Sequence, residues 1–531
     1  MRDSLTATAV APLPVYSGPW TKRTAAHLLR RSTFGPRLAE INKLHDLGLQ
    51  DAVDFILRPH SPPPPPLNHI PDADPNIPVG TTWVDKPYRT DSRFRTQSFT
   101  GWYFEHLLRS EAGIRDKMAF FWINHFGISG TRDHRGLYKY INLFQEIGPG
   151  SFQDMLERIT VDPSMLEFLD GRDNFASNPN ENYAREFLEL FTIQKNAEGE
   201  TCYTEEDVKE FARIFTGWRP YPFHFSPDED IPIDSYFDPE SHDTGTKRLS
   251  DCFNGIFIRN LGANEYKFAI SVVLTKREVA QALCRKLYRF FVFYDITPKV
   301  EASVITPLAD ILYDNLYEIR PVLKALFCSQ HFYDMAVRGP MIKNPYEFVG
   351  SILRPFYYYD HLNPDLRKTY QIGSLINNLT EELDITFISP PTVAGWKAYY
   401  DVPRFYRNWI SPTLLQRRSD ITERFLSLNN HVNNFLLRLD IRGIVYELSD
   451  PLEVDELIRE FALLFLPREL HPLQLAGLKE SLLQGLPDME WRRQCAQYLS
   501  SPNDQEIVTA VESRLLRFLT ALFSMAEFQL Q

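Results

Sequence analysis

Ser241-His242-Asp243-Thr244-Gly245-Thr246-Lys247 sets an imidazole, a carboxylate and an amine in one short stretch. Adjacent His and Asp point apart on a strand but converge in a turn, and Gly245 allows the backbone such a turn needs. So arranged, His242 and Asp243 are candidate ligands for a divalent metal ion, and Lys247 a candidate holder of an anionic group or of developing charge. The plainer alternative is a loop pinned by local hydrogen bonds. A second source of chemistry is Asn180 to Phe191. Projected at about 100° per residue, Glu181, Asn182, Arg185, Glu186 and Glu189 fall within about 140° of one another, opposite Tyr183, Phe187, Leu190 and Phe191. A fixed cation among three carboxylates holds one ionised and lets a neighbour rise toward neutrality, which is what acid and base roles require. Glu181 and Glu186 are therefore candidates for ligand or general base, and Arg185 for anion holder. The bland account is a solvated face laced by ion pairs worth about 0.2–0.5 kcal/mol each.

The third source is Met118-Ala-Phe-Phe-Trp-Ile-Asn-His125-Phe126. Large apolar groups surround this helix on every side, so it is expected to be buried. Asn124 and His125 at its end then need partners, because an unpaired buried polar group costs on the order of 1–3 kcal/mol. His125 reads as a metal ligand or proton-transfer group, or as a core histidine bonded to a backbone carbonyl. Trp218, Trp396 and Trp409 lie in or beside loops with Tyr221, Phe223, Phe225, Tyr399 and Tyr400. They form either a platform for a sugar ring or ordinary loop packing.

The elements that must position these groups are helices. Thr21 to Phe34 reads as a helix stopped by Gly35-Pro36, and Leu38 to Leu57 as helix around a turn at Gly48. Ser61 to Lys86, with five consecutive prolines, reads as an extended strap or stiff connector. Helical spacing recurs from Trp102 onward, with Asn180 to Ile193 as one helix, Thr204 capping the next and Asn344-Pro345-Tyr346-Glu347 opening another. Arg219 to Asn264 and Ile388 to Trp409 are long loops, the first with room for a hairpin near Cys252 to Arg259. The expected fold is mainly α: a large multi-helix body with long irregular loops and at most a minor β-hairpin. The expected division is an N-terminal helical segment over 1–58, the strap over 59–90, a main helical domain over 91–420 and a terminal helical bundle over 421–531.

The composition narrows the partners. Lys and Arg number 57 against 69 Asp and Glu, a net charge of −12, which leaves no basic footprint for nucleic acid. No run of 18 apolar residues suggests a membrane span. Arg30-Arg31-Ser32-Thr33-Phe34 is followed by charges where an export signal needs an apolar stretch, and no signal peptide is read, so the expected location is cytoplasmic. Five scattered cysteines without a CxxC pair fit a reduced compartment. HExxH, GxSxG, P-loop, EF-hand and GxGxxG patterns do not occur in convincing context.

Six segments, in order, resemble a large bacterial family known only as a domain of unknown function, numbered eighteen hundred. They are Ala25 to Gly35, Trp122-Ile123-Asn124-His125-Phe126, Asn180 to Glu186, His242 to Lys247, Lys286-Leu287-Tyr288-Arg289-Phe290-Phe291-Val292, and Pro390 to Trp396. The resemblance implies bacterial origin and assigns no residue a role.

The leading functional expectation is a metal-assisted or acid–base hydrolase acting on a small polar or glycan-like substrate. Its site would lie between the Glu181 helix and the His242 loop, with Glu181, Glu186, Arg185 and Lys247 catalytic and His125, His242 and Asp243 on the metal. This requires the groups to converge within about 10 Å around a concave pocket. The alternative is a non-catalytic scaffold or binding protein whose polar motifs are structural networks, with the strap and aromatic loops engaging a protein partner.

Overall fold

A computed structural model describes residues 13–87, 93–130, 133–194, 202–222, 231–356, 365–399, 405–427, 431–432, 435–436 and 439–531. Helix dominates, and the strands among these residues form three two-stranded antiparallel ladders. Two of them sit in the long loop: Trp218–Pro220 pairs with Ser235–Phe237, and Lys247–Arg248 with Phe257–Ile258. The mainly α expectation holds, with three small ladders where at most one minor hairpin was expected.

The N-terminal helix Lys22–Ser32 starts where Thr21 and Thr24 cap each other reciprocally. Its basic end is buried: Arg31 Nη2 donates to Val337 O at 2.9 Å, and Arg30 donates to Leu463 O. Arg23 Nη1 reaches Leu466 O at 3.2 Å. The guanidinium groups thus meet backbone acceptors late in the chain, tying the first helix to the terminal bundle. Gly48 takes φ 78° and separates Leu38–Leu47 from Leu49–Leu57. The proline strap runs across helix Arg93–Arg109, where Trp102 Nε1 donates to Pro64 O at 2.6 Å and Ser98 Oγ to Leu67 O at 2.6 Å. A segment that cannot form helix still satisfies donors of one.

Helix Arg115–His125 occupies the middle of the body, buried on all sides as its composition demands. Trp122 Nε1 donates to Gly148 O at 2.9 Å and Tyr140 Oη to Phe126 O at 2.7 Å. Lys117, on the same helix, is buried against the Glu347 carboxylate, which also completes the Asn344 capping box of helix Pro345–Leu353. Helix Arg277–Phe291 and the loop around Trp396 close on the C-terminal end of this central helix. Among the described residues no helix is long and apolar enough to cross a membrane.

One expected helix changes character. Glu181–Glu186 is α-helical, with Asn180 accepting from Asn182 N, but Phe187–Phe191 forms a π-helical turn. Phe187, Leu188 and Phe191 all point into the core. The segment ends at Phe191, so its last carbonyls have no partner within the helix.

Candidate functional site

A cavity of about 340 Å³ opens where three segments meet. The central helix brings Phe121, Asn124 and His125. Helix Arg277–Phe291 brings Lys286, Arg289 and Phe290, whose spacing of three and four residues puts them on one face. The loop brings Ala394, Trp396, Lys397, Ala398 and Tyr399. Asn124 Oδ1 pins that loop by accepting from Trp396 N at 2.6 Å, and the Trp396 ring stacks on Phe120 with centroids 5.8 Å apart. Gly395, at φ 84°, passes directly over Asn124. An adjoining space of about 80 Å³ shares Arg289, Phe290 and Trp396 and extends to Glu347 and Trp409. Among the described residues lining the larger cavity none is acidic, while three are Lys or Arg.

Lys286 is held by the end of the π turn. Its Nζ donates to Leu190 O at 2.8 Å and to His125 Nδ1 at 3.0 Å, and His125 Nε2 donates to Phe191 O at 3.2 Å. The two carbonyls at the end of this segment therefore anchor an amine and an imidazole, with Leu190 O also accepting from Gln194 Nε2 at 3.3 Å. Burial, and then the neighbouring Lys286 amine, hold the His125 pKa well below its usual range, so the ring is neutral and Nδ1 accepts. Part of the Lys286 chain is accessible from the cavity, yet protein surrounds its amine. Desolvation, then repulsion from Arg289, pulls its pKa down to about 7. Near neutral pH this amine changes charge, which an exposed lysine does not.

Of the seven side chains singled out in the sequence, His125 alone lines this cavity. His242, buried, directs Nδ1 at Thr216 O at 2.9 Å and Nε2 at Glu265 Oε2 at 3.3 Å. Lys247, fully buried, pairs with Glu265 Oε1 at 2.5 Å and donates to Asp243 O. Asp243 binds Arg213 Nε at 2.8 Å; burial acts to raise its pKa, but the Arg213 hydrogen bonds, the Gly245 N–H and the charges of Arg213 and Lys247 together hold the carboxyl below its ordinary value. His242, Asp243 and Lys247 are thus brought together, around Glu265 and Arg213. Glu265 was not anticipated, because nothing in the turn's sequence points to a carboxylate 23 residues on.

Glu181 and Arg185 lie on the surface. Arg185 Nη2 meets Glu181 at 3.0 Å and Glu205 at 2.8 Å, with about 40% of both Arg185 and Glu181 side chains open to solvent. Glu186 is half-buried and its carboxyl is raised, by burial first and then by Glu189. Glu205 and Arg213 begin and nearly end the helix Glu205–Ile214, so the two polar groups meet its opposite ends, about 12 Å apart along the axis. Hence the recess expected between the Glu181 helix and the His242 loop is not where the cavity forms. Arg185→Ala should cost less than about 1 kcal/mol in chemical denaturation, since exposed pairs contribute little; a larger loss would mean that the face is structural.

Among the described residues no three His, Cys, Asp or Glu side chains are grouped as a metal ion would need. Both ring nitrogens of His125 and of His242 are engaged by protein partners. Trp396 and Tyr399 line the cavity and Trp409 its annex, whereas Trp218 packs on Phe237 and Tyr266. Phe223, Phe225 and Tyr400 lie outside the described residues. Lys286 and Arg289 were passed over as chemical groups, although the segments holding them, Asn124-His125 and Gly395-Trp396 are three of the six that carried the family resemblance.

A family model described as "Protein of unknown function (DUF1800)" matches residues 27–530. No curated protein and no solved structure matches the chain.

Proposed function

Because the chain belongs to the DUF1800 family, whose function is unknown, and so receives no activity from a relative, we propose from its own geometry that the Lys286 cavity is an enzyme site for a small anionic substrate. Lys286 is the reactive group, Arg289 and Lys397 receive the negative charge, and Phe121, Phe290 and Trp396 pack a flat or apolar part of the molecule. The observation that carries this reading is an amine enclosed by protein, tethered to Leu190 O and His125, in the wall of a cavity lined by cations and aromatics. Such a combination of a concave apolar site and a displaced pKa is what functional sites share. The acid–base half of the hydrolase expectation thereby moves from the Glu181 face to Lys286; hydrolysis would require this amine to take a proton from water.

Isothermal titration with phenylacetate, and with benzylamine as its cationic counterpart, tests the reading. Phenylacetate should bind and benzylamine should not, and Arg289→Met should weaken phenylacetate about tenfold or more, the value of one charge-assisted contact. Equal binding of the two probes, or binding indifferent to Arg289→Met and Lys286→Met together, overturns it.

A further inference from the structure

Resting on the reading of the Lys286 cavity as a substrate site, we propose that the Lys286 amine forms an imine with the carbonyl carbon of a 2-oxo acid whose side chain is flat or apolar, while Arg289 and Lys397 hold its carboxylate. The amine nitrogen has four tetrahedral positions. One is its own Cε, and two are N–H groups given to Leu190 O and His125 Nδ1. The fourth, the lone pair of the uncharged amine, accepts no hydrogen bond among the described residues, and Lys286 is part of the cavity wall. Fixing both N–H groups fixes the direction of attack, which is the part of such a reaction that orientation accelerates.

The surroundings suit the partner. Arg289 stands one helical turn beyond Lys286, and neighbours at this spacing have Cβ atoms about 5–6 Å apart. A 2-oxo acid joins its carbonyl carbon directly to its carboxylate carbon, which suits an amine and a guanidinium carried one turn apart on the same face; the Arg289 guanidinium also donates to Tyr399 Oη at 3.1 Å. The volume of about 340 Å³ leaves room for a ring against Trp396 and Phe290. Among the described residues that line the cavity, the other titratable or charged groups are His125 on the central helix and Lys397 and Tyr399 on the loop. With its pKa near 7 instead of the ordinary 10.5, the uncharged amine at pH 7 is on the order of 10³ times more abundant than for an exposed lysine.

The step balances without a redox partner. The nitrogen lone pair adds to the carbonyl carbon, the C=O π pair moves to oxygen, and the nitrogen loses a proton while the oxygen gains one. Loss of that hydroxyl as water, with the second nitrogen proton, leaves C=N in place of C=O.

The experiment treats the full chain with pyruvate or phenylpyruvate in the presence of sodium cyanoborohydride, followed by intact-mass and peptide mass spectrometry. The expected result is one reduced adduct per chain, on the peptide containing Lys286, with phenylpyruvate reacting faster and phenylacetate competing. Lys286→Met should abolish that adduct while circular dichroism stays unchanged. If the variant does not fold, competition by phenylacetate on the unaltered protein still separates the cavity from surface lysines. Adducts distributed over other lysines and indifferent to phenylacetate overturn the proposal. Absence of a Lys286 adduct from a protein that binds phenylacetate overturns the covalent step and leaves the anion site standing; absence of both removes the two together.

Discussion

Glu265→Gln lowers the stability of the protein by about 3–5 kcal/mol, the cost of leaving a buried lysine without its anion. Glu265 is fully buried; one oxygen faces Lys247 Nζ at 2.5 Å and the other faces His242 Nε2 at 3.3 Å while accepting from Leu261 N at 3.1 Å. The amide keeps the size of the carboxylate but presents an NH2 group to donors and carries no charge. Lys247 would keep the backbone oxygen of Asp243 and, for a counter-charge among the described residues, only the Asp243 carboxylate, 3.8 Å away and already shared with Arg213. The urea midpoint reads the loss, and phenylacetate binding by whatever remains folded should be unchanged, because none of these residues lines the Lys286 cavity. A midpoint shift equivalent to less than about 1 kcal/mol would show that the network is dispensable, and a selective loss of binding would join the two regions functionally.

The second large effect is at Gly395. A Cβ built there lies 2.3 Å from both the backbone and the side-chain oxygen of Asn124, and its φ of 84° is one that L side chains rarely adopt. Gly395→Ala combines a left-handed conformation, costing about 1–2 kcal/mol, with overpacking, costing about 1–3 kcal/mol. The loop must lift from Asn124, breaking the 2.6 Å bond to Trp396 N and moving one wall of the cavity. Phenylacetate binding should fall at least tenfold, alongside a stability loss of about 2–5 kcal/mol. Adding Asn124→Gly removes one of the two clashing oxygens but not the backbone one, so it should restore part of the stability and little of the binding. Full binding by the single variant would mean that the loop does not shape the site.

The residues that announced local structure were the ones whose partners are local. Gly48, the Thr204 cap and the Asn344–Glu347 box act over a few residues, and all three stand as expected. The burial of Met118 to Phe126 was legible for a similar reason, since a helix apolar on every side has nowhere else to go. The site was not legible because its contacts span the chain. Lys286 meets His125 across 161 positions and Leu190 across 96. A lysine in a helix looks the same in sequence whether it faces water or a protein wall. The charged face at Glu181 attracted attention by its density of ionisable groups, yet density on one helix face is what solvent favours. The His242 turn did gather its own members, around a carboxylate supplied by a later helix.

The widened turn at Phe187–Phe191 means that the grip on Lys286 is written in segment length more than in residue identity. Leu190 and Phe191 give main-chain oxygens to that grip, and the buried Phe191 ring also packs on His125, so exchange of the Leu190 side chain leaves its acceptor in place. Removing a single residue from the stretch should shift the register of both oxygens relative to Lys286 and His125. Insertions and deletions, which substitution scanning passes over, are the changes to which this centre is most sensitive.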